Sequence, residues 1–171
     1  MTRIFFTIIT VVFTLNSVSQ TKDLPNFDFD DYRFPKSVVI DVKSKNKNEL
    51  KASIQNWLDS HFTETSLIES NYTEDTFTIT AIEERLLKVK NLTSDLKYRL
   101  NISIRDQKYR LEISSIRYKY YTEYRPIANL NLIKDEIIKN DLINSQSTLS
   151  SFFQDLNLEL FSYISSTTED W

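Results

Sequence analysis

The strongest constraint in this sequence is an alternation of apolar and polar side chains that runs from residue 94 to residue 121. A period of two is typical of β-strands with one buried face, so this stretch predicts two long strands of a hairpin. Asp106-Gln107 interrupts the alternation and predicts the turn between them. The first strand would bury five apolar side chains, those of Leu96, Tyr98, Leu100, Ile102 and Ile104.

The second strand of this hairpin changes parity near its middle. Its apolar residues are odd-numbered as far as Ile113 and even-numbered from Ile116, so one extra residue at Ser114-Ser115 predicts a β-bulge. A shift of the pairing by one residue would turn the whole apolar set towards water, so the register is strongly determined. With the bulge, every predicted pair is apolar: Ile104 with Tyr109, Ile102 with Leu111, Leu100 with Ile113, Tyr98 with Ile116, and Leu96 with Tyr118.

The rest of the chain predicts further strands and three helices. Strands are predicted at residues 37–42, 66–72 and 76–83, and helices at 47–62, 128–143 and 148–165. Asn46 and Glu49 have the spacing of a capping box at the start of the first helix. Because each strand has one apolar and one polar face, we expect an α+β fold. It would be an antiparallel sheet of about five strands, in the order β-α-β-β-β-β-α-α, with helices packed on one face.

Several classes of chemistry are excluded by residues that the chain lacks. It has no Gly, which excludes glycine-rich phosphate loops and dinucleotide-binding turns, and no Cys, which excludes thiol nucleophiles and cysteine-ligated zinc. His61 is the single histidine, and it falls in the last turn of the first predicted helix, where a cation favours the helix dipole. Its alternative role as a general base would need serine and carboxylate partners nearby. We predict no catalytic residue, no cofactor and no metal site.

The first 19 residues have the features of a secretory signal peptide. Arg3 supplies the positive start, residues 4–15 form an apolar run too short to span a bilayer, and Ser17 and Ser19 are small residues at the positions that signal peptidase reads. We predict cleavage between Ser19 and Gln20, and export of the remaining chain. The alternative is a short buried strand or helix. No later apolar run approaches membrane-spanning length.

Charge is distributed unevenly along the exported chain. Residues 85–125 contain 11 basic and 4 acidic residues, whereas residues 20–171 as a whole have a net charge of −4. The basic residues concentrate on the polar face of the hairpin, which we interpret as a contact surface for an anionic ligand or an acidic partner. The alternative is that they are ordinary solvated side chains on the wet side of a sheet. The predicted contact residues are Lys97, Arg99, Arg105, Arg110, Arg117 and Lys119.

Three features of the chain are shared with a known family. They are the capped helix with Trp57 in its second half, the strand pair after it, and the segment from Asp106 to Ile116, a turn followed by Lys-Tyr-Arg and an alternating strand. The arrangement resembles bacterial domains of unknown function with a TATA-box-binding-protein-like (TBP-like) fold, which occur in exported proteins of Gram-negative bacteria. The likeness spans about residues 37–121 and a C-terminal helix. It implies the fold and a periplasmic or secreted location, and it carries no catalytic residues.

We therefore divide the chain into four parts: a signal peptide (1–19), an extended acidic arm (20–35), a TBP-like domain (36–125) and C-terminal helices that pack on the same sheet (126–171). We interpret the protein as an exported, non-catalytic binding or interaction domain, with an anionic ligand or an envelope protein as its partner. Nucleic acid is excluded as a partner, because the protein is exported, its net charge is negative, and a shared fold does not transfer function.

Two other functional hypotheses stay open. A small carboxylate-dependent hydrolase would need two carboxylates in a deep polar pocket. The adjacent Glu83 and Glu84 are a poor pair for this purpose, because neighbouring residues of a strand point to opposite faces. A structural accessory of a cell-envelope assembly would instead present an apolar patch on the C-terminal helices.

Overall fold

The computed structural model of this protein describes residues 24–127 and 130–166, so the predicted signal peptide lies outside the described residues. The strands are β1 (Lys36–Asp41), β2 (Leu67–Tyr72), β3 (Thr76–Val89), β4 (Leu92–Arg105), β5 (Lys108–Tyr120) and β6 (Glu123–Pro126). The helices are α1 (Lys47–His61), α2 (Glu136–Asn144) and α3 (Gln146–Ser166), with a 3-10 turn at Leu130–Leu132.

The strands form one antiparallel sheet in the order β1-β5-β4-β3-β2. The short strand β6, which the sequence pattern did not indicate, pairs with the end of β5 beyond β1. Helix α1 contacts β4, β5 and α3, while α2 contacts β3 and α3, so the helices lie together on the apolar face. This confirms the predicted α+β fold with an antiparallel sheet and one covered face.

The β4–β5 hairpin has the predicted register. Leu100 lies opposite Ile113, Tyr98 lies opposite Ile116, and Ser114 is the extra residue of the bulge. The other three predicted pairs are also present, and the apolar side chains of all five pairs are buried. Gln107 in the turn has φ = 59°, so a non-glycine residue occupies the left-handed region there.

Strand β3 extends further than predicted. It was expected to end at residue 83, but it continues to Val89 through an irregularity in its pairing between Glu83 and Leu87. The exposed residues Glu83, Glu84 and Arg85 interrupt the alternation at this bulge, which is why the sequence pattern broke off there. Beyond it, Leu87 and Val89 keep the odd-numbered parity of the earlier core residues and are buried. The turn into β4 consists of Lys90 and Asn91, both with positive φ (51° and 62°).

Helix α1 begins at the predicted capping box. The Asn46 side chain accepts hydrogen bonds from the backbone N–H groups of Asn48 and Glu49 (2.9 and 3.1 Å), and the Glu49 carboxylate accepts one from the backbone N–H of Asn46 (2.7 Å). These bonds satisfy N–H groups that the first helical turn leaves unpaired. The helix then buries one apolar stripe against the sheet, made of Leu50, Ile54, Trp57 and Leu58.

The prediction of a helix at 128–143 was wrong in its extent. Residues 128 and 129 lie outside the described residues, and α2 begins only at Glu136. The cause is Asp135, whose side chain accepts from the N–H groups of Ile137 and Ile138 (3.1 and 3.3 Å) and thereby caps the helix. The last predicted helix is confirmed as α3, which begins two residues earlier than expected and buries Leu149, Phe153, Leu156, Leu160 and Ile164.

The described part of the predicted acidic arm, residues 24–35, contributes to the core. It has no regular helix or strand, and its carboxylates at Asp28, Asp30 and Asp31 are exposed. The ring of Phe29 in this segment stacks on the ring of Phe153 in α3, with a centroid distance of 5.6 Å. The buried side chains of the arm are those of Leu24, Phe27, Phe29 and Tyr32, so the segment closes the core beside α3 and is not a solvated extension.

Candidate binding surface on the open sheet face

The six predicted contact residues lie on the polar face of β4 and β5, opposite the helices. The pleat sends alternate side chains to opposite faces, so these cations point away from the apolar partners that surround them in sequence. Four of the side chains are exposed and two are half-buried. The exposed residues are Arg99, Arg105, Arg110 and Arg117, and the half-buried residues are Lys97 and Lys119.

A chain of hydrogen bonds crosses this face and divides the cations into two groups. Arg110 donates to one carboxylate oxygen of Glu112 (2.6 Å), and the side-chain amide of Asn101 donates to the other (3.0 Å). The Thr78 hydroxyl then donates to the Asn101 carbonyl (3.1 Å). The three bonds link β5, β4 and β3. The basic surface predicted as one patch is therefore two patches, one on each side of a neutral strip.

The first group contains Lys119 and three further residues that we call the central cations: Lys97, Arg99 and Arg117. Lys97 lies directly opposite Arg117 in the β4–β5 register, so two like charges face each other. Arg99 lies between Thr80 and Ser115, neither of which carries a charge. Among residues 24–127 and 130–166, neither Arg99 nor Arg117 forms an ion pair. Like charges directly opposite on a sheet are destabilising, and among the described residues Lys97 too forms no ion pair.

Lys119 contacts the carboxylate of Asp95 and the ring of Tyr124, two contacts that the sequence analysis did not predict. Its ammonium is 2.8 Å from the Asp95 carboxylate, and this hydrogen bond lowers the pKa of Asp95 and raises that of Lys119. Asp95 also accepts from the backbone N–H of Arg85 in the β3 bulge (3.1 Å). The ring of Tyr124 on β6 has Lys119 at 5.9 Å and Lys97 at 5.7 Å from its centroid. Lys119 is thus mainly a structural side chain of this face.

The second group surrounds a shallow groove of about 330 Å³ near the β4–β5 turn. Arg105 lies opposite Lys108, which repeats the like-charge pairing of the central cations. Val39 of β1 adds an exposed apolar side chain to the groove. However, Asp41 of β1 lies opposite Lys108, and Arg110 is bound to Glu112, so acids offset much of the positive charge here. The sequence did not predict this groove, because β1 is distant from the hairpin along the chain.

His61 lies in the last turn of α1, as predicted, and contacts α3. Its ring stacks on Trp57 at 4.6 Å, and its Nδ1 is 3.2 Å from a carboxylate oxygen of Glu159. Burial lowers the pKa of His61, and the Glu159 charge opposes this effect. Among the described residues, the polar contact of His61 is a carboxylate and not a serine, so the residues required for a serine nucleophile are not assembled there.

Three shallow grooves of the described chain have carboxylates in their linings. Asp59 and Glu64 line one shallow groove and are both exposed, while Asp141 and Asp155 line two other depressions separately. Glu83 lies opposite Leu96, and Glu84 follows it at the start of the β3 bulge. Burial raises the pKa of Glu83, and the charge of the neighbouring Glu84 adds to this effect. Both glutamates are exposed, and neither lines any of these three grooves.

Two further properties concern metals and membranes. Within residues 24–127 and 130–166, no three His, Asp or Glu side chains are grouped closely enough to hold a metal ion. No helix in this part of the chain combines the length and apolar character needed to cross a membrane. The C-terminal region does expose single apolar side chains, such as Leu132 (77% exposed) and Ile137 (60% exposed).

Comparison with known proteins identifies a family and two similar structures. Residues 37–119 match the family model described as a domain of unknown function (DUF4468) with TBP-like fold. A TBP-like protein from Parabacteroides distasonis is 18% identical, with a TM-score of 0.56 over 79% of this chain and 94% of its own. A DUF4468 family protein from Bacteroides ovatus is 13% identical, with a TM-score of 0.58 over 84% of this chain and 91% of its own. No curated protein matches the sequence.

These findings agree with the architecture described above. At such low identities the two solved structures show the fold alone, whereas the family model matches the sequence from β1 to the end of β5. The resemblance that the capped helix and the hairpin segment suggested is thereby confirmed. Residues 37–119 of this chain belong to the bacterial family of domains of unknown function with a TBP-like fold.

Proposed function

We propose that this protein is an exported, non-catalytic binding domain that recognises an acidic surface of a cell-envelope protein through its central cations. The observation that carries the proposal is that Lys97 lies opposite Arg117 and next to Arg99, and that none of the three forms an ion pair in the described chain. Guanidinium groups bind carboxylates in a bidentate manner, so an acidic partner would relieve the repulsion that the sheet itself maintains.

The shape of the face favours a macromolecular partner over a small molecule. The central cations stand on an open sheet, and no helix of the described chain covers that side. Small-ligand sites are typically concave and enclose most of the ligand, whereas protein interfaces can be flat. Tyr124, held between two lysines, adds an aromatic side chain to the edge of the surface, and aromatic residues are enriched in interfaces.

Charge reversal tests the contact surface. We expect the purified protein to bind poly-L-glutamate, a simple acidic polymer, at low ionic strength, and Arg99→Glu with Arg117→Glu to weaken this binding at least tenfold. The matched control is Arg33→Glu with Lys134→Glu, which changes the net charge equally at two exposed positions away from the open face. Isothermal titration measures both affinities, and circular dichroism checks folding. Equal weakening by both double variants would show that only net charge matters and would refute the surface.

Export is the second component of the proposal, and residues 1–19 support it through Arg3, the apolar run and the two small serines. We expect a β-lactamase fused to the C-terminus to confer resistance on a Gram-negative host, and Val11→Asp with Val12→Asp to abolish resistance because the apolar run is broken. Mass spectrometry of the exported chain should give Gln20 as its first residue. Resistance that survives the double substitution would contradict a signal peptide.

A further inference from the structure

The two edges of the sheet differ in how they are protected. At one edge, β1 is preceded by Pro35 and begins with Lys36, and the neighbouring β6 ends in Pro126. Proline and lysine discourage the addition of another strand. At the other edge, β2 contains no proline, lysine or arginine. It carries one acidic side chain, Glu69, and an irregularity in its pairing between Leu67 and Glu69, which leaves residues 69–72 in regular pairing with β3.

The backbone of β2 presents hydrogen-bonding groups on its free side. The N–H of Thr73 donates to the carbonyl of Thr76 across the β2–β3 turn (2.9 Å), so Thr73 bonds towards β3. Bonding direction alternates along an antiparallel strand, which directs the N–H and C=O groups of Ser70 and Tyr72 away from β3. In the described chain no further strand lies on that side. An added strand would therefore bond to Ser70 and Tyr72.

An apolar groove lies beside these same two residues. It has a volume of about 190 Å³ and is lined by apolar side chains from the end of α1, from β2 and from β3: Leu58, Phe62, Leu67, Tyr72 and Ile79. Ser70 lies opposite Ile79, and the Tyr72 ring contacts Phe77 at 4.9 Å, so both β2 residues are on the helix-covered face. A residue bonded opposite Ser70 would share that face and point its side chain into the groove.

The surroundings of the groove are acidic. Asp59 and Glu64 line it, and Glu69 lies on β2 with its side chain on the open face. All three side chains are exposed. No lysine or arginine lines the groove. A second copy of the chain would bring the same acidic edge and would be repelled, whereas a basic segment would be attracted.

We propose that β2 accepts an extended segment of another protein in which an apolar residue is flanked by basic residues. Backbone hydrogen bonds to Ser70 and Tyr72 would hold the segment, and its apolar side chain would fill the groove. The flanking basic side chains alternate to the open face, where they would meet Glu69, while Asp59 and Glu64 would add attraction at longer range. This is β-strand addition at a free sheet edge, with a pocket that selects alternate side chains. It is independent of the central cations, which lie on β4 and β5 and are separated from β2 by β3.

The probe is a fluorescent eight-residue peptide in which lysine alternates with valine. We expect Ser70→Pro to weaken its binding to the full chain at least tenfold, because proline removes a donor from the free side and leaves the bonds to β3 in place. The matched control is Ser37→Pro. Ser37 alternates with residues that bond to β5, so its N–H also faces a free edge, and we expect this variant to bind within twofold of the unmodified protein.

Further measurements keep the proposal testable if Ser70→Pro fails to fold. Glu69→Lys changes one exposed side chain on the face that the lysines reach and should weaken the lysine peptide at least fivefold, and a peptide with glutamate in place of lysine should bind at least tenfold more weakly. Unchanged affinity in either folded variant would overturn the proposal. A concentration-dependent dimer in sedimentation that Ser70→Pro abolishes would assign the edge to a second copy instead. Arg99→Glu with Arg117→Glu should retain peptide binding, which separates this site from the proposed function.

Discussion

Neighbouring residues of β4 occupy two very different environments on the two faces of the sheet. Leu96 and Leu100 are completely buried under the helices, whereas Arg99, one residue from Leu100, stands exposed on the open face. The same alternation that creates the core therefore creates the candidate binding surface. We infer from this comparison that the covered face determines stability and that the open face determines recognition. Each of the following experiments tests this separation of roles.

The largest effect is expected for Leu100→Ala. This side chain is fully buried between the sheet and the helices, so truncation removes apolar burial and leaves a cavity. We expect the free energy of unfolding to fall by about 2–5 kcal/mol, measured by urea denaturation. A loss below about 1 kcal/mol would show that the covered face is loosely packed and would contradict its assignment as the core.

The second effect concerns a polar pair inside the covered face. The buried Tyr109 hydroxyl donates to the side-chain carbonyl of the buried Asn157 (3.1 Å), while the Asn157 amide nitrogen has no partner among the described residues. Tyr109→Phe removes the donor and leaves the carbonyl unpaired, so we expect a loss of about 1–3 kcal/mol in unfolding free energy. Adding Asn157→Leu removes the remaining unpaired atoms and should recover part of this loss. No recovery in the double variant would mean that Asn157 is stabilised in another way.

The third effect is a pH dependence at the junction of α1 and α3. Burial lowers the pKa of His61 from its usual value of 6.5, so the unfolded chain takes up a proton first as the pH falls. Stability contributed by neutral His61 is therefore present above about pH 6.5 and declines as the pH falls towards the lower folded pKa. We expect His61→Gln to reduce the difference in urea midpoint between pH 7.5 and pH 5.5.

Glu159 provides the control for this pH dependence. Its charge opposes the effect of burial on the pKa of His61, so Glu159→Gln should make the pH dependence steeper. If His61→Gln steepened the dependence instead, the charged form of His61 would be the one that the fold favours.

The smallest effect on stability is expected for a substitution of Arg99, which is adjacent in sequence to Leu100. Arg99→Ala alters an exposed side chain that forms no ion pair in the described chain, so unfolding free energy should change by less than about 0.5 kcal/mol. Binding to poly-L-glutamate should nevertheless weaken measurably. A stability loss comparable to that of Leu100→Ala would place Arg99 in the structural framework and erase the distinction between the faces.

The hairpin and the cap of α1 were predictable because their information is local. The parity change at Ser114 specifies the bulge, and the alternation on either side of it specifies every cross-strand partner. In the same way, Asn46 and Glu49 are three residues apart and bond to each other's backbone. Physical interactions that join residues within one turn or one strand pair leave a readable pattern in the chain.

Other features depended on residues that meet only after folding. The burial of Phe29 follows from its stack on Phe153, more than a hundred residues later, and no periodic pattern marks the arm in which it lies. The division of the cationic surface follows from bonds that join Thr78, Asn101 and Glu112 on three strands. Alternation assigned each cation to the correct face, because the side-chain period of a strand is a backbone property. Which cations keep an acid partner was decided by strand order and packing, because ion pairing depends on distances in space and not along the chain.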